Sequence, residues 1–131
     1  MRRLLLCLLA SGLPIACSSA PPDNGNKAVQ SERWATPVKH DANLYRIDDK
    51  LYRSEQPVVE DGEAIVKLGI QSVINLRFFD RNDDDHLKAY GLTLLNRPLL
   101  SWSIKPKEIA EILYLIEKQQ QNGAVLIHCY H

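Results

Sequence analysis

From Gln56 onward the chain alternates helix with strand, and that alternation limits its fold more than any other feature. Pro57 opens a helix over about Val58 to Leu68, and Gly69 is placed to stop it. Ile70 to Leu76 reads as a strand whose apolar members are Val73, Ile74 and Leu76. A short helix runs to Tyr90 and stops at Gly91, and Leu92 to Leu95 is the next strand. A longer helix starts near Lys107, with Ile109, Ile112, Leu113 and Ile116 at i, i+3, i+4 and i+7, which predicts them as its buried face. Asn122-Gly123 ends it, and the apolar run Ala124-Val125-Leu126-Ile127 forms a last strand that stops at His128-Cys129. This succession predicts an α/β fold, a mainly parallel central sheet flanked by helices. Ligands in open α/β sheets bind at the carboxyl edge of the strands, so what stands at that edge matters most.

Ahead of the alternation, Leu44-Tyr45-Arg46-Ile47 and Leu51-Tyr52-Arg53 flank the polar turn Asp48-Asp49-Lys50, the pattern of a β-hairpin. The chain begins with a targeting segment, Met1 to Ala16. Arg2 and Arg3 form its positive start, and Leu4 to Leu13 an apolar stretch too short to span a bilayer. Leu13-Pro14-Ile15-Ala16-Cys17 resembles the bacterial lipobox, in which the cysteine becomes the lipidated first residue, although Pro14 stands where leucine is usual. This predicts residues 1–16 as a lipoprotein signal peptide, Cys17 as the lipid-bearing residue, and a bacterial cell-envelope, periplasm-facing location. Cleavage after Ala20 to give a soluble periplasmic protein and retention as an uncleaved anchor are the alternatives. Residues 17–36, with Pro21-Pro22 and Asn24-Gly25-Asn26, read as a flexible tether, and Trp34 as its first anchor to the body or a partly exposed tryptophan.

At 131 residues the chain holds one domain with a modest core, residues 37–131. Its 16 basic and 16 acidic residues balance, which removes the electrostatic argument for nucleic acid as a partner. Cys7 lies in the leader and Cys17 at its end, so Cys129 is the only cysteine of the body and has no partner for an internal disulfide. His40 and His86 read as surface histidines without metal-ligand spacing. The acidic run Asp80 to Asp85 reads as a solvated loop or a helix start. Cys129 itself is either a small core residue or a nucleophile.

Four segments bear on that choice. Leu51-Tyr52-Arg53-Ser54-Glu55-Gln56-Pro57, Ile74-Asn75-Leu76-Arg77, Arg97-Pro98-Leu99 and Val125-Leu126-Ile127-His128-Cys129 resemble, in order, motifs of the bacterial dual-specificity, tyrosine-phosphatase-like superfamily. The resemblance covers about Leu44 to His131. It implies a cysteine-dependent phosphatase in which Cys129 attacks phosphorus and His128 orders the phosphate loop and tunes the thiolate. Tyr130 and His131, with Cys129, would bind the phosphate. A free thiol, with a pKa of about 8.5, needs such help to be anionic at neutral pH, and inward backbone N–H groups supply it. No metal or organic cofactor is implied. The implied partners are a phosphorylated protein or a small phosphate ester, and the membrane through a lipid on Cys17.

The family's loop reads His-Cys-x-x-x-x-x-Arg followed by Ser or Thr. Here only Tyr130 and His131 follow Cys129. The expectation is therefore a chain cut inside its phosphate loop, lacking the helices that follow, and with little or no activity as it stands. Arg53, Arg77 and Arg97 are basic neighbours of a phosphate or, more simply, solvated or ion-paired residues. The loop Leu99 to Lys105 carries no carboxylate to act as general acid, although Trp102 is placed to line a pocket. Two other classes stand beside this one: a non-catalytic envelope lipoprotein or phosphatase remnant, and a rhodanese-like sulfurtransferase, which also presents a strand-end cysteine.

Overall fold

The computed structural model of the chain describes residues 35–130. The signal segment 1–16, Cys17, all of the tether but its last two residues, Trp34 and His131 lie outside the described residues. The strands are β1 (Thr36–Lys39), β2 (Leu44–Asp48), β3 (Leu51–Ser54), β4 (Ile70–Asn75), β5 (Thr93–Asn96) and β6 (Ala124–His128). They form one sheet in the order β1-β2-β3-β6-β4-β5. β1, β2 and β3 are antiparallel neighbours, whereas β3, β6, β4 and β5 run parallel. The mixed α/β architecture and the hairpin are those the sequence predicts. The added element is β1, an exposed edge strand that begins at Thr36, the last residue assigned to the tether. Its four residues alternate too little to read as a strand, and pairing with β2 defines it.

The helices divide between the two faces of the sheet. On one face, a 3₁₀ turn (Val59–Asp61) runs into α1 (Gly62–Lys67), and a second 3₁₀ segment covers Asp85–Tyr90. Ile65, Leu87 and Leu92 pack there against Leu44, Tyr52, Ile70, Val73 and Leu126. The other face carries α2 (Pro106–Gln119), whose Ile112 and Ile116 pack on Ile74 and Val125. The alternation along β6 sends Val125 to one layer and Leu126 to the other, and both are 0% exposed.

Local chemistry sets the element boundaries. The Asp61 carboxylate accepts the Val58 N–H (2.9 Å) and the Lys39 ammonium (2.6 Å), tying the start of the first helical segment to β1. The Glu108 carboxylate accepts the Lys105 N–H (2.8 Å), which caps α2 in the same way. Gly69 and Gly91 take φ of 77° and 76°, the left-handed conformation that ends a helical segment at little cost only for glycine. The buried face of α2 is rotated from the predicted one. Leu115 joins Ile112 and Ile116 against the sheet, whereas Ile109 and Leu113 are exposed. Packing of Ile112, Leu115 and Ile116 on Ile74 and Val125 sets this rotation, and it leaves Glu111 paired with Arg97 beside the edge strand.

Candidate active site

The four parallel strands end at one edge, and the site is assembled there. His128 closes β6, with Ser54 of β3 and Asn75 of β4 as its register partners on either side. Backbone bonds lock the strand ends together: Leu76 N–H to the His128 carbonyl, Arg97 N–H to the Asn75 carbonyl, and Leu99 N–H to the Leu76 carbonyl, each at 2.9 Å. Cys129 follows directly on β6 and is exposed, its thiol unpaired with any cysteine among the described residues. A buried strand thus delivers a cysteine that is exposed among the described residues. Tyr130 is exposed beside it.

A cleft of about 350 Å³ opens on one side of Cys129, between Arg77, Phe79, Trp102 and Tyr130. Trp102 lines it as the sequence suggested. A smaller hollow of about 160 Å³ on the other side is bounded by Arg53, Ser54, Ile127 and His128. Cys129 is the one residue that lines both; Tyr130 lines only the larger and His128 only the smaller.

The three arginines are each engaged by protein groups. Arg53 stacks over the Tyr45 ring at 4.3 Å, and Arg97 pairs with Glu111. Arg77 is buried. It donates to Asp83 (2.6 Å), Asp80 (3.1 Å) and the Gln56 side-chain carbonyl (2.8 Å), and its guanidinium lies 5.0 Å from the Tyr130 ring centre. Asp80 adopts a left-handed backbone (φ 54°), which folds the loop back onto Arg77.

The acidic run does start a helical segment, with Asp84 at the N-cap of the 3₁₀ segment, but Asp84 itself is not solvated. It is 3% exposed, and its carboxylate lies 2.9 Å from His128 Nε2 while also accepting from Gln56 Nε2 at 2.6 Å. Burial pushes the Asp84 carboxyl up, but the hydrogen bond and charge of His128, with the Gln56 and Asn75 amides, outweigh it and hold the group below its ordinary value. The other ring nitrogen of His128, Nδ1, lies 3.2 Å from the Cys129 carbonyl. Asp84, Asp83 and Gln56 are the site residues that sequence reasoning missed. The available signal was the three-residue spacing from Asp84 to Leu87, which puts the carboxylate on the inner face of the 3₁₀ segment. Among the described residues, no group of three or more His, Cys, Asp or Glu is placed to hold a metal ion, and no helix is long and apolar enough to cross a membrane.

No family model matches the chain. It is 28% identical over 104 residues to the dual specificity protein phosphatase TpbA of Pseudomonas aeruginosa, a match covering 79% of this chain and 47% of that protein. The chain therefore spans about half the length of the curated relatives it matches. The crystal structure of P. aeruginosa TpbA superposes with a TM-score of 0.71 at 27% identity, over 78% of this chain and 62% of the other. A cysteine-to-serine TpbA in complex with pTyr gives 0.70 at 26%, over 76% and 60%. A putative phosphatase from Neisseria meningitidis gives 0.59 at 26%, over 68% and 67%. In sequence and in its α/β fold, the chain is similar to the TpbA-like bacterial tyrosine and dual-specificity phosphatases.

Proposed function

We propose that this chain carries the nucleophile-bearing part of a cysteine-dependent phosphatase that hydrolyses phosphate monoesters. The observation that supports this reading above the others is an exposed Cys129 at the carboxyl end of the central strand, following a buried His128 and opening on an aromatic-walled cleft. In the reaction, the Cys129 thiolate attacks phosphorus as the bond to the leaving oxygen breaks, and the leaving alcohol takes up a proton. The product is a phosphocysteine. Water then attacks its phosphorus, releasing inorganic phosphate and restoring the thiolate. Tyr130 and His131 contribute backbone amides to the phosphate. The pTyr bound by the TpbA variant supports an aryl phosphate as substrate, on a protein or a small molecule.

Residues 130 and 131 bring no arginine to clamp the transferring oxygens, so the 131 residues by themselves are expected to turn over weakly or not at all. Cys17 is proposed as a lipidated residue that holds the domain on the periplasmic side of the cell envelope, on the strength of the lipobox-like sequence.

The test is hydrolysis of a small aryl phosphate by the 131-residue chain and by a version carried through the downstream reading frame, each beside its Cys129→Ser counterpart. Activity in the longer version that disappears with Cys129→Ser and ignores a chelator is the expected result. Activity that survives Cys129→Ser, or none in the longer version, would overturn the reading.

A further inference from the structure

The three arginines near this sheet edge are not equivalent. Arg77 meets Asp80 and Asp83, and Arg97 meets Glu111. Arg53 has no carboxylate partner among the described residues, yet it borders the smaller hollow beside Cys129. We propose that this hollow is a carboxylate subsite, with Arg53 as its cation, for an acid group carried by the phosphate ester. The subsite is argued from geometry, and the ester rests on the phosphatase reading.

The sheet sets where that charge stands. Arg53 and Tyr45 are register partners across the β2–β3 ladder, and the guanidinium lies 4.3 Å from the Tyr45 ring centre. Stacking occupies the face of a guanidinium and leaves its in-plane N–H groups for a planar acceptor. A carboxylate is such an acceptor, and the two-point fit to it distinguishes arginine from lysine. On its other side Arg53 has Ile127 of β6 as register partner, two residues before Cys129. The strand that bears the cation is thereby tied to the strand that delivers the sulfur.

The rest of the hollow offers an entering acid no repulsion. No carboxylate lines it. Ser54, Leu76 and Ile127 are uncharged, and the Ser54 hydroxyl is spent on the Glu55 carbonyl (2.7 Å). The His128 ring is engaged by Asp84 and by the Cys129 carbonyl, so Arg53 is the group left to bind an anion there. Its volume of about 160 Å³, under half that of the aromatic cleft, suits one small group. Cys129 lines both openings. A phosphate at the sulfur therefore has an aromatic wall for its organic group on one side and a fixed cation on the other.

The test uses the 131-residue chain and needs no turnover. Iodoacetate and iodoacetamide both alkylate a thiolate with loss of iodide, and they differ as carboxylate against carboxamide. The ratio of their rates at Cys129 therefore cancels the thiolate fraction. Peptide mass mapping separates Cys129 from Cys7 and Cys17. Arg53→Met should lower the iodoacetate-to-iodoacetamide ratio about fivefold, the effect of an exposed ion pair. Arg97→Met makes the same change of net charge and should leave the ratio unchanged. An equal ratio in wild type and Arg53→Met, or an equal fall in Arg97→Met, overturns the proposal. In the unmodified chain, added salt should lower the ratio by screening Arg53; a ratio that stays level or rises overturns the proposal even if a variant misfolds.

Two substrate pairs then locate the acid, using the version carried through the downstream reading frame. One pair is a tyrosine phosphopeptide with aspartate or alanine beside the phosphotyrosine. The other is a phenyl phosphate with a meta carboxylate or carboxamide. A kcat/KM preference of about fivefold for the acidic member, abolished by Arg53→Met, assigns the acid to whichever pair shows it. No preference in either pair overturns the proposal. No hydrolysis of any of the four removes the phosphatase reading, and the alkylation ratio then decides the subsite by itself.

Discussion

Removing the Arg77 guanidinium should destabilise the domain far more than an ordinary surface change. Three kinds of contact would be lost. The hydrogen bond to the Gln56 carbonyl is part-buried and made by a charged donor, worth about 1.5 kcal/mol. The pairs to Asp83 and Asp80 involve carboxylates that are 48% and 66% exposed, so solvent screening limits each to about 0.5 kcal/mol. The stem is buried as well, and truncating it costs about 1 kcal/mol more. Arg77→Met keeps most of the stem and should therefore cost about 2.5 kcal/mol, and Arg77→Ala about 3.5 kcal/mol. With a urea m-value on the order of 1 kcal/mol/M for a domain of this size, the midpoints should fall by about 2.5 M and 3.5 M. Urea titrations followed by far-ultraviolet circular dichroism, with m compared across the three proteins, measure this directly. If Arg77→Met unfolds within about 0.5 kcal/mol of wild type, the guanidinium contacts contribute nothing net, and the account of Arg77 with Gln56, Asp80 and Asp83 as a stabilising network is wrong.

Three further outcomes are expected. Because the Asp84 carboxyl is depressed in the folded chain, its contribution should be complete above its ordinary value of 3.8 and lost as pH falls through the folded value; the stability gap between wild type and Asp84→Asn should therefore narrow on acidification, as urea midpoints across that window would show. Leu126→Ala removes a side chain that is 0% exposed on the central strand and should cost about 3 kcal/mol, read from the same titrations; a loss below about 1 kcal/mol would mean the site collapses freely around the gap. Cys17→Ser should move the expressed protein from the membrane to the soluble fraction on cell fractionation, and unchanged membrane association would remove the lipid-anchor proposal.

Much of the fold was legible because it depends on local rules. The Leu44 to Arg53 hairpin, the Gly69 and Gly91 stops and the strand into His128 all follow from turn chemistry and apolar runs. β1 was not legible, since nothing in Thr36-Pro37-Val38-Lys39 marks a strand until β2 lies beside it. The face of α2 was only half legible: Ile112 and Ile116 are buried as their spacing implies, but the rotation about the helix axis is fixed by partners distant in sequence. The position of Cys129 could be read from the strand it terminates. The environment of His128 could not. Its partner Asp84 is 44 residues away in a run of aspartates, and only folding separates the buried carboxylate from its exposed neighbours.

The strand order also bears on how the molecule is made. β3 and β4 never pair with each other; both pair with β6, the last of the described strands. Until residues 124–128 have left the ribosome, no ladder can join β1, β2 and β3 to β4 and β5. Joining them brings Leu51 onto Val125 and Tyr52 onto Leu126, contacts of long sequence separation, which is the condition for slow closure. Synthesis of this domain therefore passes through a stage in which two open strand edges wait for the segment that also carries Cys129, and a chaperone that shields such edges would act most strongly then.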